Sequence, residues 1–363
     1  MALNPDDCVR SQVTRRRLLT LAAAQAVTLI PSTTSASPSP IVEEAFVPAG
    51  GIDQWVAIRG RDRSRPVILF LHGGPCEAES PFLSVFAPWE ERYVVAQWDQ
   101  RGTGRTFGKN GTPPNMTMDQ LTQDTIAVTQ YVLGRMKARK LILVGFSWGA
   151  GLGLNVIRAK PELFHAFVGT GQPINGTEIF ESRRASAVAR AQAAGDAQAA
   201  TQMKQFTLAD FADMAKFHNF FRWSAAPFPN PGPDWDYIGK MFSLLGKPDK
   251  PQSVAAADFF ASNPPPDNPA LHPVCLQKLL PYAMAFDARA GGTDLAVPYF
   301  VIQGRNDPIC RPEAARAFVD QVHAPVKNFT AIDGGHFVCL SNPTVFLNAL
   351  DSDLQKLGKG DLR

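Results

Sequence analysis

The stretch that decides the fold runs from Leu141 to Ala159 and reads LILVGFSWGAGLGLNVIRA. Its first four residues form an apolar run that predicts a buried strand, and the residues from Trp148 onward predict a helix. The junction, Gly145-Phe146-Ser147-Trp148-Gly149, fits the pattern G-x-S-x-G, in which glycines allow a tight and strained turn. Such a turn holds a serine hydroxyl above the sheet, at a helix N-terminus. We therefore predict Ser147 as a nucleophile; the alternative is a glycine-rich turn with an unreactive serine.

Outward from this unit, short apolar runs ending in glycine-rich turns alternate with helical patterns, as in a sheet of buried parallel strands. The strand-like runs are Val67–Leu71, Tyr93–Ala96, Leu141–Val144, Ala166–Val168, Tyr299–Ile302 and Asn328–Ile332. The helical patterns are Met118–Met136, Trp148–Ala159, Pro312–Val322 and Pro343–Leu357. A hairpin with its corner at Ala49-Gly50-Gly51 precedes them. The alternation predicts an α/β fold with a doubly wound, mostly parallel sheet.

The alternation stops between Gly171 and about Gly292, where helical stretches such as Glu178–Gln205 and Thr207–Phe221 are mixed with proline-rich loops. Because the strand pattern resumes at Pro298, we predict a helical cap inserted over the strand ends, where α/β sheets bind ligands. The predicted division is a core of residues 41–171 and 293–363 with a cap of residues 172–292. A separate second domain is the alternative.

The N-terminal segment, residues 1–36, has the composition of an export signal. An arginine cluster, Arg15-Arg16-Arg17, precedes a mostly apolar run from Leu18 to Ile30 and a Ser/Thr/Pro-rich segment. The arginines resemble a twin-arginine signal, which predicts a periplasmic or secreted protein. An ordinary secretory signal or an uncleaved anchor is the alternative. The net charge of +3 gives no argument for nucleic acid, or for a membrane partner after signal removal.

A serine nucleophile needs a base and an acid that orients it. His336 follows Asp333-Gly334-Gly335 at the end of the last strand-like run, which places it within reach of the turn at Ser147. Asp307 follows the preceding strand, and the order Ser, Asp, His is the one expected for this fold. We predict Asp307 as the acid, with Asp333 as the alternative.

The tetrahedral intermediate needs donors for its oxyanion. One predicted donor is the backbone N–H of Trp148, and the second is Gly74, in the turn His72-Gly73-Gly74-Pro75. A plain strand terminator is the alternative for that turn. We also predict that the Gly74–Pro75 bond is cis, because X–Pro bonds are the usual place for cis geometry.

Four motifs together resemble the proline iminopeptidase family of α/β-hydrolases. They are His72-Gly73-Gly74-Pro75, the run WDQRGTGRT from Trp98 to Thr106, Gly145–Gly149, and Gly334-Gly335-His336. The resemblance implies an α/β-hydrolase fold, a serine mechanism that needs no cofactor and no metal, and release of N-terminal residues, often proline, from peptides. It also implies that Arg101 is architectural and is held by a carboxylate.

The resemblance weakens in the cap, where members of that family that bind a free amine place glutamates. Glu178 and Glu181 are the best available amine partners, with Phe146 and Trp223 as further candidates for substrate binding. The alternative for the two glutamates is a solvated helix face. The predicted partner is thus a short-peptide or small-molecule substrate under an apolar cap. A carboxylesterase or lactonase, a lyase, and a non-catalytic binding protein stay as alternatives.

Four cysteines follow the predicted signal, at positions 76, 275, 310 and 339. Their pairing does not follow from the sequence. Cys310 and Cys339 each follow a predicted triad member at the same short spacing, so we expect them to lie close together. In an oxidising compartment they could form a bridge that clamps the acid and base loops.

Overall fold

The predicted sheet is present in a computed structural model that describes residues 40–78, 80–224, 272–358 and 362. The predicted export signal lies outside these residues. Eight strands follow the order β1-β2-β4-β3-β5-β6-β7-β8. They are β1 (Ile41–Ala49), β2 (Ile52–Gly60), β3 (Val67–Leu71), β4 (Val94–Trp98), β5 (Leu141–Phe146), β6 (Phe164–Thr170), β7 (Tyr299–Gly304) and β8 (Lys327–Ile332).

The pairing directions fix where a site can form. β1 and β2 form the predicted hairpin, and β2 pairs antiparallel with β4. All later pairs are parallel, which confirms a doubly wound, mostly parallel sheet. β3 lies between β4 and β5, so the strand order reverses beside it. Such a reversal is where open α/β sheets bind ligands, at the carboxyl ends of the strands.

The central strands are buried on both faces, as their continuous apolar runs predict. Successive side chains alternate between two cores, because side chains along a strand point to opposite faces. Leu69 and Leu143 belong to one core, whereas Phe70 and Val144 belong to the other. The helices that cover the sheet are α1 (Ala87–Glu90), α2 (Gly104–Asn110), α3 (Met118–Met136), α4 (Trp148–Ala159), α9 (Pro312–Gln321), α10 (Val338–Ser341) and α11 (Pro343–Gln355).

The predicted cap segment contains helices throughout its described residues. They are α5 (Gly176–Ala193), α6 (Ala197–Gln205), α7 (Met214–Ser224) and α8 (His272–Ala285). The helical stretch predicted over Glu178–Gln205 is present as two helices with a break between them. Gly195 has a left-handed φ of 73°, and the side chain of Asp196 accepts a hydrogen bond from the Ala199 N–H, so the chain turns and a new helix begins.

Aromatic rings of the cap pack on one another. Phe206 stacks on Phe220 with ring centroids 4.4 Å apart, and Phe180 and Phe211 join the same buried cluster. The apolar composition of the cap segment could suggest pocket lining, but Phe180 and Phe220 are buried core residues of the cap, where the helices bury their apolar faces against one another. Among the helices that the structure describes, none is both long and apolar enough to cross a membrane.

Candidate active site

Ser147 lies in a sharp turn between β5 and α4. Its φ is 52°, a left-handed conformation that is strained for a residue with a side chain. The turn is tight because α4 starts against the end of β3: a Cβ at Gly149 would lie 2.2 Å from the Leu71 carbonyl oxygen. The Ser147 N–H donates to the Thr170 carbonyl at 2.9 Å, which anchors the turn to the end of β6.

The structure brings the three predicted triad residues together. His336 Nε2 lies 3.0 Å from Ser147 Oγ, and His336 Nδ1 lies 2.9 Å from Asp307 Oδ2. Asp307 follows β7 and His336 follows β8, and these strands are parallel neighbours, so both side chains emerge at the same edge of the sheet. With the proton on Nδ1, His336 donates to Asp307 and its Nε2 can accept the hydroxyl proton of Ser147.

Asp307 is fixed by a set of donors close to it in sequence. Its Oδ1 accepts from the N–H groups of Ile309 and Cys310, both at 2.9 Å, and its Oδ2 accepts from Gln303 Nε2 at 2.7 Å. These three donors hold the carboxylate in one orientation behind His336. Asp333, the alternative acid, is almost fully exposed and pairs with Arg305 at 3.2 Å, so it does not lie behind the imidazole.

The turn after β3 has the predicted cis bond between Gly74 and Pro75. In the described part of the chain, neither the N–H of Gly74 nor that of Trp148 donates to a protein acceptor. Trp148 is the first residue of α4, and N–H groups at a helix N-terminus are free of intrahelical partners. Both N–H groups are therefore available to an oxyanion.

The residue that opens this turn, His72, is structural. Its Nδ1 donates to the Gly73 carbonyl at 2.8 Å, and its Nε2 accepts from the Gln100 N–H at 3.1 Å. Complete burial lowers the pKa of His72 to about 4, because the charged imidazolium would lose its hydration. His72 is therefore neutral near pH 7, and both ring nitrogens are occupied in holding the turn.

Sequence reasoning missed the role of Gln100. Its Nε2 donates to the His72 carbonyl at 3.2 Å, and its Oε1 accepts from the Trp148 indole Nε1 at 3.0 Å. Gln100 thus links the turn after β3 to the turn at Ser147. The sequence signal that could have identified Gln100 is the run WDQRGTGRT at the end of β4, which also contains Arg101. Arg101 is held by Asp124 through two hydrogen bonds of 2.7 and 2.9 Å, as predicted.

The cysteine pairing differs from the expected bridge. Cys76, directly after the cis bond, forms a disulfide with Cys275 of α8, with Cα atoms 6.0 Å apart. Cys310 and Cys339 are buried and are not joined by a disulfide, so the bridge suggested between them is wrong. The loops that carry Asp307 and His336 are joined by the hydrogen bond between these two side chains.

Among the described residues, one group of possible metal ligands shares Asp307 and His336 with the triad. Ligand atoms of Asp307, Cys310 and His336 all lie within 4.8 Å of one another. Burial raises the pKa of the Cys310 thiol well above its ordinary value, and the Asp307 charge adds to the rise. Asp307 and His336 are hydrogen-bonded to each other, so two of these three ligand atoms are already engaged.

The predicted substrate-binding residues do not all lie at the triad. Phe146 is buried, with its ring 5.1 Å from that of His336. Trp223 packs against the cap cluster. Glu181 is exposed and pairs with Arg184. Glu178 is exposed and lines a cavity of about 410 Å³ that includes Ile309 and Cys310 but neither Ser147 nor His336.

Comparison with known proteins extends these observations. A family model described as "Alpha/beta hydrolase family" matches residues 68–349. Probable aminopeptidase YbaC of Bacillus subtilis (strain 168) is 36% identical over 149 residues, 38% of this chain and 47% of that protein. A proline iminopeptidase of Lactobacillus crispatus is 28% identical over 115 residues, 31% of this chain and 38% of that protein. The match thus spans less than half of each relative, and it confirms the resemblance drawn from the four motifs.

Solved structures share the fold at low sequence identity. A proline iminopeptidase-related protein from Thermus thermophilus has a TM-score of 0.57 at 19% identity, covering 88% of this chain and 98% of that one. A proline iminopeptidase of Mycobacterium smegmatis has a TM-score of 0.55 at 19% identity, covering 89% and 99%. The esterase RhEst1 from Rhodococcus sp. ECU1013 has a TM-score of 0.53 at 17% identity, covering 87% and 99%.

Proposed function

Because the chain belongs to the alpha/beta hydrolase family, we propose that it is a serine hydrolase that cleaves an amide or ester through an acyl-enzyme. The proposed nucleophile is Ser147, with His336 as general base and Asp307 as its orienting acid. The observation that carries this proposal is the hydrogen-bond chain from Ser147 Oγ through His336 to Asp307, at 3.0 and 2.9 Å.

The geometry supports a two-step reaction. Ser147 Oγ attacks the substrate carbonyl while its proton passes to His336 Nε2, and the Asp307 carboxylate stabilises the imidazolium. The N–H groups of Gly74 and Trp148 hydrogen-bond the oxyanion. Collapse of the intermediate breaks the bond to the leaving group, which takes the proton from His336. Water then attacks the acyl-enzyme by the same route and restores Ser147.

The proposed activity is that of an aminopeptidase similar to proline iminopeptidases. The four sequence motifs support it, as do the two curated relatives, one named an aminopeptidase and the other a proline iminopeptidase. A carboxylesterase or lactonase acting on small apolar esters is the second candidate. The observation that favours it is the pairing of Glu181 with Arg184, which leaves one fewer cap carboxylate for an amine.

We also propose export of the protein, with residues 1–36 as a twin-arginine-like signal and the periplasm or medium as its destination. The Cys76–Cys275 disulfide supports an oxidising compartment, because disulfides persist there. Fractionation of cells that express the full chain tests this: the mature protein should leave the cytoplasm, and replacing Arg15 and Arg16 by lysine should retain it there.

The activity is tested with aminoacyl arylamides and short acyl esters. Ser147→Ala should fold normally and lose turnover by about a millionfold, as removal of a triad serine does. Ser64→Ala, at an exposed serine between β2 and β3, is the matched control and should keep full activity. A Ser147→Ala enzyme that retains a substantial fraction of the wild-type rate would refute the mechanism.

A further inference from the structure

Glu77 carries a carboxylate that no step of the proposed mechanism uses. It lies beside the oxyanion turn, residues 72–76, which includes the donor Gly74. It follows Cys76 directly, and its backbone N lies 3.0 Å from where a Cβ on Gly74 would be. A Cβ on Gly73 would lie 3.3 Å from Glu77 Oε2 and 3.0 Å from the ring of Phe146. The Phe146 ring in turn packs 5.1 Å from that of His336. The Glu77 carboxylate therefore lies on the catalytic side of the turn.

The Glu77 side chain is exposed but partly desolvated by the protein around it. This desolvation raises the pKa of the Glu77 carboxyl. His336 is close enough to oppose that rise. Within the described residues, the Glu77 carboxylate has no hydrogen bond or ion pair. A partly desolvated carboxylate without a partner favours an incoming cation.

The geometry of the substrate indicates which cation would lie beside Glu77. In an α-aminoacyl substrate, the ammonium nitrogen lies about 2.5 Å from the carbonyl carbon, given standard N–Cα and Cα–C bonds. That carbon must sit at Ser147 with its oxygen on the Gly74 N–H, so the ammonium must lie close to the same turn. Glu77 is three residues beyond Gly74, whereas Glu181 is already paired with Arg184.

We propose that Glu77 is the specificity-determining residue that binds the α-ammonium group of the substrate, so that the enzyme selects acyl groups with a free N-terminal amine. This inference rests on the serine hydrolase mechanism proposed above. It places the amine site on the core side, beside the oxyanion turn, rather than on Glu178 or Glu181 of the cap.

Removal of the Glu77 charge should change kcat/KM in opposite directions for substrates with and without a free amine, or leave the second kind unchanged. For an aminoacyl substrate, Glu77 pairs with the ammonium. For an acyl group without an amine, the same negative charge lies near the developing oxyanion and opposes it. Removing the charge should therefore hinder the first reaction and leave unchanged or assist the second.

The experiment compares wild type and Glu77→Gln on a prolyl arylamide, its N-acetyl counterpart and a short acyl ester. We expect kcat/KM for the free-amine substrate to fall about 10- to 100-fold, the loss typical of one charge-assisted hydrogen bond. Activity on the other two substrates should be unchanged or higher. Glu77→Asp, which keeps the charge, should retain part of the preference, and Glu162→Gln, at a remote exposed position, should match wild type.

The outcomes separate this inference from the proposed function. An equal loss on all three substrates would give Glu77 a structural role and overturn the inference. Unchanged activity of Glu77→Gln on the prolyl arylamide would also overturn it, as would a wild type that turns over esters alone. The inference would fail as well if Glu178→Gln or Glu181→Gln, and not Glu77→Gln, caused the loss. A wild-type enzyme inactive on every substrate, or an active Ser147→Ala, would instead refute the serine hydrolase mechanism.

Discussion

Two loops flank Ser147, and different kinds of contact hold them. The acid loop, residues 305–311, is fixed by Asp307, whose partners Gln303, Ile309 and Cys310 lie within four residues of it. The oxyanion turn, residues 72–76, is fixed from far away in sequence. His72 is 28 residues from Gln100, and Cys76 is 199 residues from Cys275. The donors that orient Asp307 are thus local, whereas the contacts that hold the oxyanion turn come from segments distant in sequence.

The difference implies that the two loops respond to different changes. The contacts that orient the Asp307 side chain are made within one segment, because its donors lie between Gln303 and Cys310. The oxyanion turn needs the loop after β4 and the helix α8 in place. Substitutions in the acid loop should therefore alter the chemistry, whereas substitutions that act on the oxyanion turn should also alter the stability of the whole chain.

The largest expected effect tests the acid loop. Asp307→Asn should lower kcat about 10⁴-fold, because an amide favours the wrong histidine tautomer. The measurement is kcat on the best arylamide or ester, with circular dichroism to check folding. Asp333→Asn is the matched control, since Asp333 is exposed, and it should retain near wild-type activity. The reverse result would make Asp333 the acid.

The second prediction concerns the disulfide that joins the oxyanion turn to α8. Replacing Cys76 and Cys275 together by serine should lower the free energy of unfolding by about 2–5 kcal/mol, because the disulfide restricts the unfolded chain. Thermal and denaturant unfolding measure the change. Adding reductant should destabilise the wild type and leave the double variant unaffected. A wild type indifferent to reductant would show that this bridge does not support the fold.

The smallest expected effect is that of removing Gln100, which links the oxyanion turn to the turn at Ser147. Gln100→Leu should cost about 1–3 kcal/mol in the free energy of unfolding, because it leaves the His72 carbonyl and the Trp148 indole without partners. It should also lower kcat/KM through displacement of the two N–H donors. Urea unfolding and steady-state kinetics measure both.

Gln97 provides the matched control. It is equally buried, on β4, but its side-chain amide has no hydrogen-bond partner among the described residues. Gln97→Leu should therefore be neutral or stabilising. If Gln97→Leu and Gln100→Leu proved equally destabilising, the hydrogen bonds of Gln100 would not be the cause.

Much of the core could be predicted because its signals are local. The apolar runs gave β3 unchanged, and the helix after Ser147 begins and ends where its pattern predicts. In the cap, the break between α5 and α6 was missed, although Gly195-Asp196 is a turn-and-cap signal. Residues such as Phe180 and Phe220 could not be assigned from composition, since apolar side chains serve a pocket and a core equally well.

The sequence by itself determined which residues meet at the end of the sheet. Parallel strands end at one edge, so motifs that follow β3, β5, β7 and β8 must come together there. Tertiary structure alone decided the partner of Cys76, the bridging role of Gln100 and the surroundings of Glu77. Each depends on how segments distant in sequence pack against the oxyanion turn, and no local pattern encodes that packing.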